Sequence, residues 1–439
     1  NTRWGTFPSY AIAYTFSEEP YMDWARDFLD FGKIRLSYGK SGKQFEYPYF
    51  AFGVLIVNNI PFHGNQTITP YWPNGLINPK LSWEETKQFD AGLDLEFFGN
   101  RLSLELDYYY RYTDKLLAQV TLPGDYNAYT AQWQNAYAIS NQGIELQIKA
   151  DLIRSEKLHW DFSFNIARNW NRFEKSNNGM DFTNLASKHN LNIIGKPLNG
   201  IYVYNDEGYY NSQDEVPLYY VNGRRKYLSS LGNQIYSPGD RRIQDVDGNG
   251  QVATMVPLLE DRVYGGSPLP LAFGGIASTL KWKGIDVNLL FSYKLGRHVL
   301  NAGRGASVGT ILRANTAEMM VPILADLDKV SFWQKPGDNT DFPINELENG
   351  KNNFATNLKS NVEKINYLKL KSISIGYILP VFPKQSKHYA RVFMSVENVF
   401  TITNSSSPDP ESIDIVTGVD SNNNYPLATR FTLGLTLNL

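Results

Sequence analysis

Long stretches of this chain alternate between apolar and polar residues. In 101–110, Leu102, Leu104, Leu106, Tyr108 and Tyr110 share one parity, and Arg101, Ser103, Glu105 and Asp107 share the other. The same period of two runs through 143–152 (Ile144, Leu146, Ile148), 159–166 (Trp160, Phe162, Phe164) and 286–296 (Val287, Leu289, Phe291). It closes the chain with Phe431, Leu433, Leu435 and Leu437. Side chains alternate across a strand, so each segment predicts a β-strand with one apolar and one polar face, longer than soluble strands usually are. A tilted strand of about 9–11 residues crosses a bilayer, one face meeting lipid and the other a polar lumen. A soluble antiparallel sheet with one wet face gives the same alternation, so the connections have to decide.

The pattern predicts eleven strands, over 7–16, 31–41, 86–97, 101–116, 141–153, 158–173, 270–281, 285–298, 367–379, 389–400 and 429–439. Short turns (Phe98-Gly99-Asn100, Arg154-Ser155-Glu156-Lys157, Lys283-Gly284 and the Pro380 to Lys387 link) alternate with long loops at 42–85, 117–140, 174–269, 299–366 and 401–428. Short periplasmic turns opposite long extracellular loops mark outer-membrane barrels. The expected fold is therefore all-β, a transmembrane antiparallel β-barrel with a periplasmic C-terminus and two large extracellular loop regions, 174–269 and 299–366. Bacterial single-chain barrels have an even number of strands, and an open sheet would leave costly lipid-exposed edges. Further strands are thus expected upstream of Asn1, making residues 1–439 the C-terminal part of a larger barrel chain.

Composition sharpens this picture. Aromatics make up 14% of the chain, with 28 Tyr, 24 Phe and 9 Trp, beside a mean hydropathy of −0.37. Aromatic girdles with long polar loops reconcile the two values, and Tyr108, Tyr110 and Tyr112 fall at girdle spacing. A net charge of −2 excludes a general nucleic-acid surface. Having no cysteine excludes disulfides, thiolate nucleophiles and Cys-ligated metals. Facing the lumen, Asp94, Glu96, Glu105, Asp107, Glu145, Lys149 and Asp151 are mixed in sign and favour no strongly charged substrate. Lys364, Lys369 and Lys371 are expected to snorkel at the membrane rim.

One loop motif carries chemistry. Asp245-Val246-Asp247-Gly248-Asn249-Gly250-Gln251 places oxygen ligands at positions 1, 3 and 5, a turn glycine at 6 and the Gln251 carbonyl at 7, as an EF-hand-type calcium loop does. Position 12 is Val256, so the usual closing carboxylate is absent there. The competing reading is an Asp/Asn/Gly turn whose side chains bond their own backbone. Glu84 with Glu85, or Asp240 with Asp245, read as loop acids rather than a glycosidase pair, and Ser405-Ser406-Ser407 has no nucleophile-elbow context. Tyr71, Trp72, Trp133, Tyr209, Tyr210, Tyr219 and Tyr220 suit sugar stacking, contact with a protein lid, or pinning of the loops.

The chain also resembles a known family. Its matching stretches include Arg3-Trp4-Gly5-Thr6-Phe7-Pro8-Ser9, Lys33-Ile34-Arg35-Leu36-Ser37-Tyr38-Gly39 and Asn78-Pro79-Lys80-Leu81-Ser82-Trp83-Glu84. Others are Asn141-Gln142-Gly143-Ile144-Glu145-Leu146, Gly266-Ser267-Pro268-Leu269-Pro270, Ile375-Gly376-Tyr377-Ile378-Leu379-Pro380 and Asp409-Pro410-Glu411. Together they resemble the C-terminal half of the barrel of SusC-like (RagA-like) TonB-dependent outer-membrane transporters of Bacteroidota. That resemblance implies a 22-stranded barrel, half of it present here, with a plug domain and TonB-contacting segment in the missing N-terminal part. It implies active import of oligosaccharides without covalent chemistry, under a SusD-like surface lipoprotein, in transporter–lipoprotein pairs that can dimerise. It also identifies Asp261 as the acid that closes the Asp245 loop about five residues late, holding a structural Ca²⁺ or Mg²⁺ with Asp245, Asp247, Asn249 and Gln251. Three other readings remain open here: a RagA-type peptide importer, a barrel subunit of a larger outer-membrane assembly without transport of its own, and a secreted glycan-active β-protein.

Overall fold

The computed structural model describes residues 4–44, 55–57, 60–62, 66–68, 71–73, 76–122, 131–176, 182–183, 190–230, 233–252, 261–303, 331–344, 351, 356–380, 389–421 and 426–438. Eleven long strands carry the fold: β1 (Ser9–Thr15), β2 (Leu29–Lys43), β3 (Glu84–Phe97), β4 (Leu102–Thr121), β5 (Ala131–Arg154), β6 (Leu158–Lys175), β7 (Ala272–Trp282), β8 (Ile285–Asn301), β9 (Val362–Leu379), β10 (Tyr389–Thr403) and β11 (Arg430–Asn438). Each expected strand is present. No helix among the described residues is long and apolar enough to cross a membrane.

The chain forms two compact units. In the first, β1 to β6 pair in sequence order, every pair antiparallel, and β7 lies beside β6. There Trp160 Nε1 donates to Ser278 Oγ at 2.9 Å. In the second unit, β8 to β11 form the same kind of meander. Two turns show why the chain reverses where it does. Phe98, Gly99 and Asn100 all have positive φ (58°, 65° and 59°), and Lys283 and Gly284 lie at 47° and 87°. The latter values are the left-handed pair a two-residue hairpin needs to match strand twist. The Val381 to Lys387 part of the expected periplasmic link lies outside the described residues.

Strand limits depart from the expectation at one end. β4 and β5 continue past residue 116 and before 141, pairing Leu117 with Asn135, Gln119 with Trp133 and Thr121 with Ala131. Residues 117–121 and 131–140 are thus a hairpin extension rather than loop, because backbone pairing needs no apolar face. β8 and β9 likewise reach Asn301 and back to Val362. Register slips include those between Phe173 and Lys175 in β6, between Lys294 and Arg297 in β8, midway along β9 between Leu370 and Ser372, and two in β4, at Thr113/Leu116 and Leu116/Leu117, that cancel each other. Each is the two-against-one irregularity of a bulge.

The apolar parity points outward and uncovered. Leu106, Tyr108 and Ile144 are exposed in the first unit, and Leu433 on β11 is 78% exposed. The opposite parity is polar and crosslinked. Arg35 on β2 reaches Asp94 on β3 through two hydrogen bonds of 2.7 Å and Asp107 on β4 at 2.9 Å. Gly92 makes that reach possible, since a Cβ there would lie 2.6 Å from the Arg35 guanidinium carbon.

Candidate functional site

The second unit holds folded loop structure built on its own core. Tyr204, Tyr210, Val216, Leu228, Tyr236, Ile243, Val252 and Leu358 are buried together, and Gly200–Tyr204 pairs with Arg262–Gly266. This core positions the carboxylate loop. Strand Arg241–Ile243 feeds into Asp245, and Gln251–Val252 leaves it, pairing in parallel with Ser229–Ser230. Asp261 enters from the far side, just before Arg262.

Within the loop, Asp245 accepts from the Gly248 and Gly250 amides, both at 2.8 Å. Asp247 accepts from the Asn249 amide at 3.0 Å, and Asn249 Oδ1 accepts from the Gln251 amide at 2.7 Å. Positive φ at Gly248 (75°) and Gly250 (83°) makes the reversal, which few other residues accommodate. Buried Asp261 accepts from the Val246 amide at 2.9 Å. One carboxylate oxygen each of Asp245, Asp247 and Asp261 then lies within 4.8 Å of the others. These are hard oxygen donors only, the chemistry of a Ca²⁺ or Mg²⁺ site, and Asn249 and the Gln251 carbonyl belong to the same turn. The Gln251 side chain is turned away to Asn233, its Nε2 donating at 2.9 Å. Val256 lies outside the described residues. Burial, then the charge and hydrogen bonding of neighbouring Asp245, push the Tyr219 phenol up to about 12.

The remaining sequence candidates resolve one by one. Glu84 and Glu85, adjacent on β3, point to opposite faces; Glu84 accepts from the Leu117 amide at 2.9 Å and Glu85 pairs with Lys115. Asp240 is buried and paired with Lys351 at 2.7 Å, away from any catalytic partnership with Asp245. Ser406 and Ser407 bond Glu363 and Asp420. Tyr209 and Tyr219 are half-buried, Tyr210 is core and Tyr220 is exposed; the side chains of Tyr71 and Trp72 lie outside the described residues.

Lys369 is a correction. Instead of snorkelling at a rim, it is buried and bonded to Asp409 at 3.0 Å and Glu411 at 3.1 Å, while Lys371 holds Glu411 at 2.8 Å. Lys369 lies opposite Ser292 of β8, Lys371 sits in the slip between Leu370 and Ser372, and both reach a segment that folds back onto the sheet. Lys364 stays exposed. Residues 404–420 form this strap, paired in parallel to the end of β8 through Leu300–Val419 and Asn301–Asp420. Fully buried Arg297 fastens it from β8, donating to the carbonyls of Pro268 (2.9 Å), Ile413 (3.3 Å) and Asp414. The pattern missed Arg297; its only sequence sign is an arginine next to the slip that ends regular pairing.

Long antiparallel strands with an exposed apolar face, a charged inner face and folded loops define an outer-membrane-type barrel wall. Comparison with known proteins places it. Residues 1–303 match the family described as TonB dependent receptor-like, beta-barrel, and the chain belongs to that family. TonB-dependent receptor P3 of Formosa agariphila is 29% identical over 465 residues, covering 100% of this chain and 42% of that protein. TonB-dependent receptor SusC of Bacteroides thetaiotaomicron is 26% identical over 457 residues, covering 100% of this chain and 40% of its own length. The chain therefore spans about two-fifths of the curated relatives it matches. Among solved structures, the RagAB peptide transporter superposes with a TM-score of 0.71 at 22% identity, over 99% of this chain and 44% of that one, which is a likeness of fold.

Proposed function

We propose that this chain is the C-terminal barrel portion of an outer-membrane active importer of the SusC type, carrying oligosaccharides. The observation that supports this best is end-to-end similarity to SusC together with family membership over 1–303. In this reading the plug, the remaining strands and the TonB-contacting segment lie outside these 439 residues, a SusD-like lipoprotein caps the loop side, and no covalent chemistry occurs. The mixed-sign inner face built on Arg35, Asp94 and Asp107 suits uncharged cargo. Likeness to the RagAB peptide transporter supports a second reading, peptide import. Deleting the full-length gene is expected to abolish growth on one class of oligosaccharide while sparing growth on the monosaccharide. Growth loss on peptides alone would favour the second reading, and no nutrient phenotype would overturn both.

We further propose that the Asp245–Asp261 loop holds a structural Ca²⁺, using Asp245, Asp247, Asp261, Asn249 and the Gln251 carbonyl. Its role would be to tie Asp261 to the turn and stiffen the loop region. Terbium can replace calcium and be excited through a nearby tyrosine, and Tyr219 stands beside Asp245. Full-length protein is expected to give tyrosine-sensitised terbium emission that calcium displaces. Asp261→Asn removes one ligand charge and is expected to weaken terbium binding by about tenfold or more. Emission indifferent to Asp261→Asn would refute the site.

A further inference from the structure

We propose that a cleft between the loop segments 206–211, 241–242 and 337–342 binds a sugar unit of a neutral oligosaccharide on the loop side of the protein. The cleft measures about 530 Å³, within the usual range for small-molecule pockets. Its back wall is already committed to itself. Buried Asp206 accepts from Arg241 at 2.9 Å and from the Ser360 amide at 2.9 Å. Arg241 lies over the Tyr209 ring at 5.6 Å, and the Tyr209 hydroxyl donates to the Thr340 carbonyl at 3.2 Å. That wall is rigid and offers a ligand shape more than bonding.

The rim is different. Exposed Arg242 has no ion pair, and exposed Asn339 no side-chain hydrogen bond, among the described residues. Asp338 uses Oδ2 to cap the Gln334 and Lys335 amides at 3.1 and 2.9 Å, leaving Oδ1. Glu207 uses Oε1 for Asn205 at 3.1 Å, leaving Oε2. At Gly208 and Gly337 an added Cβ would meet nothing within 4 Å, so the backbone there is open to an approaching ligand.

Strong donors and charged acceptors thus stand unspent around one cleft, and that combination selects the ligand. A carboxylate or sulfate would gain Arg242 but be repelled by Glu207 and Asp338. An ammonium group would gain Glu207 and Asp338, with Asp341 also in the lining, but would be repelled by Arg241 and Arg242. Hydroxyls donate and accept at once, so a polyol uses both sets without an unpaired charge. This inference rests on the oligosaccharide reading and adds a site to it.

The test uses full-length transporter, purified with its accompanying lipoprotein, and a panel of neutral oligosaccharides with hexa-alanine as the peptide probe. Hydrogen exchange is followed along the chain as each is added. The expected result is glycan-induced protection at 206–211 and 337–342, with no effect of the peptide. The pair Arg242→Ala and Asn339→Ala removes the free donors and is expected to raise the glycan concentration needed by about tenfold or more. Both positions are exposed, so an unchanged exchange pattern in the absence of glycan confirms folding. Protection elsewhere only, no protection by any glycan, protection by the peptide instead, or protection unchanged in the double variant would each overturn the site. Glycan-dependent growth that persists in the double variant with unchanged protection removes this cleft and leaves the importer standing; absence of glycan import by the unsubstituted transporter removes both.

Discussion

Replacing Arg297 with methionine is expected to destabilise the loop side of the second unit by about 3 kcal/mol or more. The guanidinium is 1% exposed and donates to three carbonyls of two separate segments. Removing it leaves the buried Pro268 and Ile413 carbonyls unpaired, at roughly 1–3 kcal/mol each. Methionine fills much of the volume, so the loss isolates the hydrogen bonds. Arg297→Lys should restore little, since one ammonium lacks the planar fork that reaches three acceptors. Limited proteolysis of the full-length protein in detergent reads this directly, with new cleavage within 404–420 in both variants. An unaltered digestion pattern would show that the strap is held by other means.

Lys369→Met is expected to be comparably severe, costing about 3–5 kcal/mol as breaking a buried ion pair usually does. Asp409 and Glu411 would then face each other without the shared ammonium. Adding Asp409→Leu should recover part of the loss, because an apolar pair substitutes well for a buried ionic one. Burial alone would push the Asp409 carboxyl up, but hydrogen bonds from Lys369 and the Glu411 amide prevail and hold it below its ordinary value. Glu411 is likewise held low against burial by Lys371 and Lys369. Groups with depressed values stabilise the fold above their unfolded pKa, about 4 for these carboxylates, and lose that contribution as pH falls through the lower folded values. Protease resistance of 404–420 should therefore be flat from pH 8 to about 5 and fall only in stronger acid. A decline centred near neutrality would contradict this network.

What the sequence disclosed follows from where water and lipid impose a pattern. The strands announced themselves wherever one face had to be apolar, as with Leu102 to Tyr110 and Phe431 to Leu437. Outside that zone the pattern fails: 131–140 is strand by backbone pairing with 117–121, and no parity rule marks it. The Asp245–Gln251 turn was legible because the side chains that shape it are local, spaced by one residue. Lys369 with Asp409, and Arg297 with the carbonyls of 413 and 414, lie 40 or more residues apart, so their meeting depends on register that no local pattern reveals. Two lysines set among the apolar residues of one strand were the available hint that acids would cover them.

The register slips of β6, β8 and β9 carry an evolutionary consequence. A one-residue insertion in regular pairing would turn every later side chain to the opposite face, exchanging charge for leucine along the wall. A bulge absorbs such an extra residue locally. Sequences beyond the slips can lengthen, shorten or be exchanged for others while the arithmetic of the wall stays fixed. The same wall can thus bear different outer segments without any change to its own pattern.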